Sequence, residues 1–146
     1  MRFMMLMIPD VYQNGKSGEN FSPTAEAVKK MMKYNEDLAK AGVLISLDGL
    51  HPPAAGARIS FRGEKPKVTD DPFAGAKNVL GGYWIIQVKS KEEAIEWAKR
   101  VPAEPGDMIE IRQLFEISEF PPDVQKAAGI SIVQEQVEKL RSSVSG

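Results

Sequence analysis

The stretch GGYWIIQVKSKEEAIEWAKR, residues 81–100, decides the fold class. Its first part, residues 81–88, is an apolar run with Tyr83, Trp84, Ile85 and Ile86, the aromatic and β-branched composition of a strand. Ser90 followed by Glu93 has the pattern of a capping box. The serine oxygen can accept the Glu93 amide proton, and the glutamate can reach back. A helix is therefore expected to about Arg100, burying Ala94, Trp97, Ala98 and Val101, with Glu96 and Arg100 placed for an i,i+4 ion pair. Pro102 and Pro105 stop it. Residues 108–114 then alternate, Ile109 and Ile111 against Glu110 and Arg112, as a half-buried strand does.

Upstream, the same strand–helix–strand order occurs once more. Residues 3–8 form a continuous apolar run, suiting a central strand covered on both faces. A polar, Gly-containing loop spans residues 10–20. Ser22-Pro23 then predicts a helix start, with Ser22 as N-cap and Pro23 at the first helical position. Val28, Met31, Met32, Asn35, Leu38 and Ala39 recur at helical spacing, and the two methionines read as core packing. Gly42 is the expected stop. Residues 43–47 are a second apolar strand, followed by a loop rich in Pro and Gly. Residues 58–62 alternate, with Ile59 and Phe61 on one side and Arg58, Ser60 and Arg62 on the other. Gly63-Glu64-Lys65 turns the chain and residues 67–69 return, which makes a hairpin. Residues 70–78 are irregular.

The order is β-α-β, a hairpin, then β-α-β. This predicts an α+β chain: a ferredoxin-like split β-α-β sandwich with an inserted β-hairpin over residues 1–116. Residues 117–146 form a C-terminal helical extension after Pro121-Pro122. Val133, Val137 and Leu140 are its apolar stripe, Gly129 kinks or breaks it, and residues 142–146 are expected to fray. Two helices cover only one sheet face. The other face, presenting Met4, Leu6 and Ile8 with Tyr83 and Ile85 or their alternates, has to find cover. A homodimer is the expected solution.

Bulk properties narrow the function classes. A chain of 146 residues with 42% apolar and 27% charged side chains fits one ordinary domain and excludes disordered and fibrous classes. With no cysteine there is no disulfide framework, thiolate metal site or cysteine nucleophile, and a reducing, cytoplasmic location suits the composition. Net charge is −1, and no local Lys/Arg cluster stands out, which disfavours nucleic acid. The apolar start is at the lower limit of a signal sequence's apolar region and ends at Pro9-Asp10 without a small-residue cleavage site, so it reads as a buried first strand. No stretch approaches the roughly 20 apolar residues of a membrane span.

Several segments together resemble a known family. Val68-Thr69-Asp70-Asp71-Pro72-Phe73-Ala74 followed by Leu80-Gly81-Gly82-Tyr83-Trp84-Ile85-Ile86 resembles the signature of the YCII-related proteins of the DGPF type. Gly49-Leu50-His51-Pro52, Lys91-Glu92-Glu93-Ala94-Ile95-Glu96-Trp97-Ala98, Ala41-Gly42-Val43-Leu44 and Ile109-Glu110-Ile111-Arg112 also look like that family, in the same order. The resemblance covers residues 1–116 and implies a dimeric α/β barrel of two ferredoxin-like halves. For activity it implies either an enzyme with a His–Asp dyad, with aromatic ring compounds among the substrates of relatives, or a regulatory role. Two departures bear on this. The family's Asp-Gly-Pro-Phe is Asp70-Asp71-Pro72-Phe73 here, and Asp71, lying before a proline, is pushed to extended backbone. The first helix carries no histidine, where the narrower YCII group has one.

His51 is the sole histidine. It lies in a Pro-bounded loop at a strand exit and could act as general acid or base; an exposed loop histidine without a role is the plain alternative. Asp70 could orient it, or simply bond the backbone of its own turn, and Asp48 has the same ambiguity. Arg58, with Arg62 and Lys77, could hold an anionic substrate, against the ordinary reading of a solvated strand face. Tyr83 and Trp84 point to opposite sides of one strand, so one is core and the other lines a pocket or interface. His51 and Asp70 are thus the catalytic candidates, and Asp48, Arg58 and Tyr83 the substrate-binding ones. No metal-ligand spacing, phosphate-binding Gly loop or cofactor motif is present. The expected activity is that of a small cofactor-independent lyase or isomerase acting on a small anionic or aromatic metabolite. A non-catalytic ligand-binding or regulatory domain is the alternative.

Overall fold

The apolar run at the N-terminus becomes β1 (Arg2–Ile8), paired antiparallel along both edges. The computed structural model describes residues 1–14, 16, 18, 20–69, 77–128 and 131–144. One neighbour of β1 is β5 (Gly82–Gln87) and the other is β6 (Met108–Gln113). β2 (Leu44–Gly49) pairs with the far edge of β5, giving the order β2-β5-β1-β6. β1 and β2 lie parallel with β5 between them, as the split β-α-β plan requires, so the chain is α+β and ferredoxin-like. The hairpin of β3 (Arg58–Ser60) and β4 (Lys67–Thr69) is a separate two-stranded sheet. Its apolar side chains Ile59, Phe61 and Val68 are exposed.

Register fixes which side chains are dry. Met5 lies opposite both Trp84 and Ile111, and Phe3 opposite Ile86. These residues face α1 (Ala25–Lys40) and α2 (Lys91–Lys99) and form the core with Tyr34, Leu38, Ala94 and Val101. Met4, Leu6, Tyr83 and Ile85 alternate to the other face, lie outside that core and stay partly exposed. Trp84 is therefore the core member of the Tyr83–Trp84 pair.

Several local expectations shift. The N-cap of α1 is Thr24, whose hydroxyl accepts the Ala27 amide at 3.1 Å, rather than Ser22. Ser90 caps α2 by accepting the Glu93 amide, but the Glu93 carboxylate accepts from the Lys89 amide instead of closing on Ser90. Glu96 pairs with Lys99 at 2.7 Å, one position short of Arg100. Arg100 stacks on the Trp97 ring at 4.1 Å and approaches Asp37 of α1 at 3.8 Å, because an aromatic face and a carboxylate on the neighbouring helix compete with the local partner. Gly42, at φ +72°, ends α1 as expected.

The chain divides into two compact units, Met1–Leu114 and Phe115–Gly146. In the second, α3 (Pro122–Ala128) is followed by α4 (Ser131–Val144); Gly129 lies outside the described residues. Val133, Val137 and Leu140 are exposed on α4, and the helix runs through Ser142 and Ser143, which were expected to fray. No helix among the described residues is long and apolar enough to cross a membrane.

α1 is fastened to the sheet and to α2 by two polar bonds inside the apolar layer. The Trp84 indole donates to Asn35 Oδ1 at 2.9 Å, and the Tyr34 hydroxyl donates to the Trp97 carbonyl at 2.9 Å. The Tyr34 and Trp84 rings meet edge to face at 5.8 Å. Burial pushes the Tyr34 phenol from 10.0 up to about 12, partly offset by the positive charge of Arg100. Raised in the folded state, this group contributes stability in full below pH 10 and loses it as pH climbs through 12. That rise corresponds to about 3 kcal/mol. Urea unfolding at stepped pH should show this alkaline loss in the wild type and a markedly smaller one in Tyr34→Phe.

Candidate functional site

The exits of β2 and the approach to β5 form a groove of about 540 Å3. One wall is Leu50 to Arg58, the other Asn78 to Leu80. Leu50 donates its amide to the Gly81 carbonyl at 3.0 Å, which ties the walls together at their base. Pro52-Pro53 stiffen the first wall: Ala55 and Gly56 donate back to the Pro52 and Pro53 carbonyls, forming a 3-10 turn over Pro53–Ala55. His51 is exposed on this wall and Arg58 begins β3 at its far end, so the groove brings two sequence-predicted residues together. Arg58 is already engaged in a polar or electrostatic contact.

The second wall is held by a residue that sequence reading left inside a loop. Gln13 accepts the Val79 amide at 3.0 Å through Oε1 and donates to the Val79 carbonyl at 2.9 Å through Nε2. The same Nε2 donates to the Pro9 carbonyl at 2.8 Å. A primary amide copies the donor–acceptor pair of a neighbouring strand, so Val79 is gripped as though it lay in a sheet. Asn78, just before it, adopts φ +59°. The only sequence signal for Gln13 is its paired donor and acceptor, which any loop glutamine shares.

Asp48 and Tyr83 form a separate pair. They are register partners across β2 and β5, and the Tyr83 hydroxyl donates to Asp48 Oδ2 at 2.7 Å on the partly exposed sheet face. That bond to a carboxylate raises the phenol above its ordinary range, while a weaker contact with Ser46 opposes it. Asp70 lies outside the described residues, as do Asp71, Pro72, Phe73 and Ala74. Among the described residues no carboxylate bonds His51, and no group of three metal-ligating side chains occurs. A mainly apolar cavity of about 170 Å3 lies between α1 and the sheet, and one of about 330 Å3 lies between α1 and loop residues such as Tyr12, Phe21 and Pro102; the two share Met7, Met31 and Gly81. The smaller one ends at Gly49 and Gly81, the residues next to Leu50 and Leu80 of the groove.

Sheet order, groove and the positions of His51 and Tyr83 coincide with the span covered by a family model. The model of the YCII-related domain matches residues 1–118. The chain belongs to the YCII-related family. A search of curated proteins finds no match. In this YCII-related chain the matched span carries the groove, both apolar cavities and the Asp48–Tyr83 pair.

The Asp48–Tyr83 bond yields a direct test. All three tyrosine phenols stand above their ordinary range: Tyr12 and Tyr34 by burial, Tyr83 by Asp48. In an alkaline absorbance titration Asp48→Asn should lower the titration point of one phenol towards the ordinary value, and Tyr83→Phe should remove that same phenol. If Asp48→Asn leaves the curve unchanged, the bond does not exist in solution.

Proposed function

We propose that this YCII-related chain binds a small anionic or aromatic metabolite at the His51–Arg58 groove and acts on it as a cofactor-independent enzyme of the lyase or isomerase type, of the DGPF branch of the family. The observation that carries the reading is that His51 and Arg58, chosen on chemical grounds, line one groove. Arg58 would hold the anionic end of the ligand, for which a planar guanidinium is suited. His51 would take up or deliver a proton at the neighbouring carbon or oxygen. Asp70 is assigned the orienting role. The apolar cavity that begins where the groove ends would take the body of the ligand, against Met7, Met31 and Trp84. A cytoplasmic setting fits a chain free of cysteine.

A non-catalytic binding or regulatory role is favoured by one observation: among the described residues His51 has no carboxylate partner. Thermal-shift measurements against small aromatic and aliphatic carboxylates separate the two. A ligand at a hundred times its dissociation constant stabilises by about 2.7 kcal/mol. The expected result is stabilisation of the wild type that is lost in Arg58→Gln, with proton exchange or turnover of that ligand lost in His51→Ala. Binding without turnover in the wild type would select the regulatory role. Equal stabilisation of both variants and the wild type would place the ligand elsewhere and sink the proposal.

The same reading includes a homodimer through the open sheet face. Met4, Leu6 and Ile85 are its apolar centre, and Met108 at its edge is 57% exposed. Glu110 and Arg112, 3.6 Å apart, project from the same face, since they lie opposite Leu6 and Met4. A face holding an apolar centre with one acid and one base is self-complementary about a twofold axis. Sedimentation should give a dimer for the wild type and a monomer for Leu6→Glu; a monomeric wild type refutes it.

A further inference from the structure

Sequence reading found no basic cluster, yet folding builds one. In the first unit, residues of α1 and the segment after α2 line an open pocket of about 410 Å3. Lys29, Lys30, Lys33 and Arg100 line it, with Asp37 as the one carboxylate and Tyr34 as the buried floor. Four cations thus face one acid in a chain whose net charge is −1. Arg100 comes from the end of α2, 67 or more positions further along the chain than the lysines of the pocket, so only the tertiary fold places it here.

The cations divide into two kinds. Lys33 is held on Asp37 at 2.6 Å, and that carboxylate in turn keeps the Lys33 ammonium above its ordinary range. Arg100 is fixed by stacking on Trp97 at 4.1 Å, with Asp37 at 3.8 Å, while its side chain keeps 52% of its surface. Lys29 and Lys30 have no ion-pair partner among the described residues. They sit four and three positions before Lys33, a spacing at which like charges on a helix repel. Asp37 is shared between two cations and Glu36 also acts on Lys33, yet the lining itself sets four cations against one carboxylate. A fixed guanidinium beside two ammonium groups without an ion-pair partner, and a third held on Asp37, suits an anion with several oxygens and more than one charge. The fork of the arginine matches a phosphate edge, and the lysines act as point charges around it.

We propose that the pocket formed by Lys29, Lys30, Lys33 and Arg100 is a second anion site, distinct from the His51 groove, that takes a small molecule bearing a pyrophosphate or two closely spaced phosphates. The assignment does not depend on the role of His51. Its ligand neutralises the Lys29–Lys33 and Lys30–Lys33 repulsions and bridges α1 to the end of α2, so binding stabilises the fold as well as filling the pocket.

Calorimetric titration with inorganic pyrophosphate at low ionic strength tests it, with wild type, the double variant Lys29→Gln/Lys30→Gln, and Arg58→Gln in parallel. The replaced side chains are exposed, and equal urea midpoints without ligand verify that the variants fold. The expected outcome is binding by the wild type, affinity about tenfold or more weaker in the double variant, and unchanged affinity in Arg58→Gln. Inorganic phosphate, with one centre instead of two, should bind more weakly than pyrophosphate. Absence of wild-type binding at millimolar pyrophosphate overturns the proposal. So does a double variant that binds as the wild type does, or a loss confined to Arg58→Gln, which would put the anion in the His51 groove.

Discussion

The constraint on which the rest of the first unit depends is the double pairing of β1. Its backbone is bonded to β5 on one edge and to β6 on the other, so its side chains have two faces and no free edge. Phe3, Met5 and Met7 go to the helices; Met4 and Leu6 go to the opposite face. A slip by one residue would exchange these sets and put the partners of Trp84 into solvent. The pairing also continues past the strand: Gly81 donates its amide to the Met7 carbonyl, and Leu50 donates to the Gly81 carbonyl. The base of the His51 groove is therefore an extension of the central ladder. A side chain at Gly81 would lie 2.7 Å from the Pro9 ring, so this extension requires close backbone approach.

What lies above that base is built by weaker means. The wall carrying His51 owes its shape to two prolines and one 3-10 turn, and the facing wall to the amide of Gln13. Neither has a run of apolar contacts comparable to the core. Such segments open at lower free energy than the sheet beneath them. A groove of this construction can adjust to a ligand without disturbing Met5, Leu38 or Ile86, which are fully buried. The rigid part of the molecule sets where the groove begins, and the loops set its width.

Legibility in the sequence followed the same division. Alternation at Ile109 and Ile111, the Ser90 cap and the Gly42 stop were readable because each follows from backbone geometry within a few residues. Asn35 shares the helical spacing of an apolar stripe, and the partner that accounts for its amide, the Trp84 indole, lies 49 positions away. The displacement of the helix start from Ser22 to Thr24 reflects two hydroxyl residues, two positions apart, with similar capping chemistry. Arg100 was assigned to Glu96 by spacing alone, whereas the fold offered it an aromatic face and a carboxylate on another helix. The basic pocket was illegible for that reason. Of the site residues, His51 and Arg58 could be grouped from the hairpin and loop order; Gln13 could not, because its partner is a main chain rather than a side chain.

The two polar loci differ in a way that bears on chemistry. Asp48 and Tyr83 satisfy each other through a short bond to a charged acceptor, which is among the stronger kinds of hydrogen bond. A ligand seeking either group must first displace the other, so the pair is better suited to stiffening the junction of β2 and β5 or to marking a specific contact than to moving protons. His51 is exposed, faces a concavity and has an arginine further along the same wall of the groove. A group that exchanges protons with a substrate needs that reach more than it needs a partner already in place, since catalytic hydrogen bonds often tighten only when substrate arrives. Of the two places at which the sequence gathers polar chemistry, the loop histidine is therefore the one on which our proposed reaction draws, and the strand pair is the one already satisfied within the sheet.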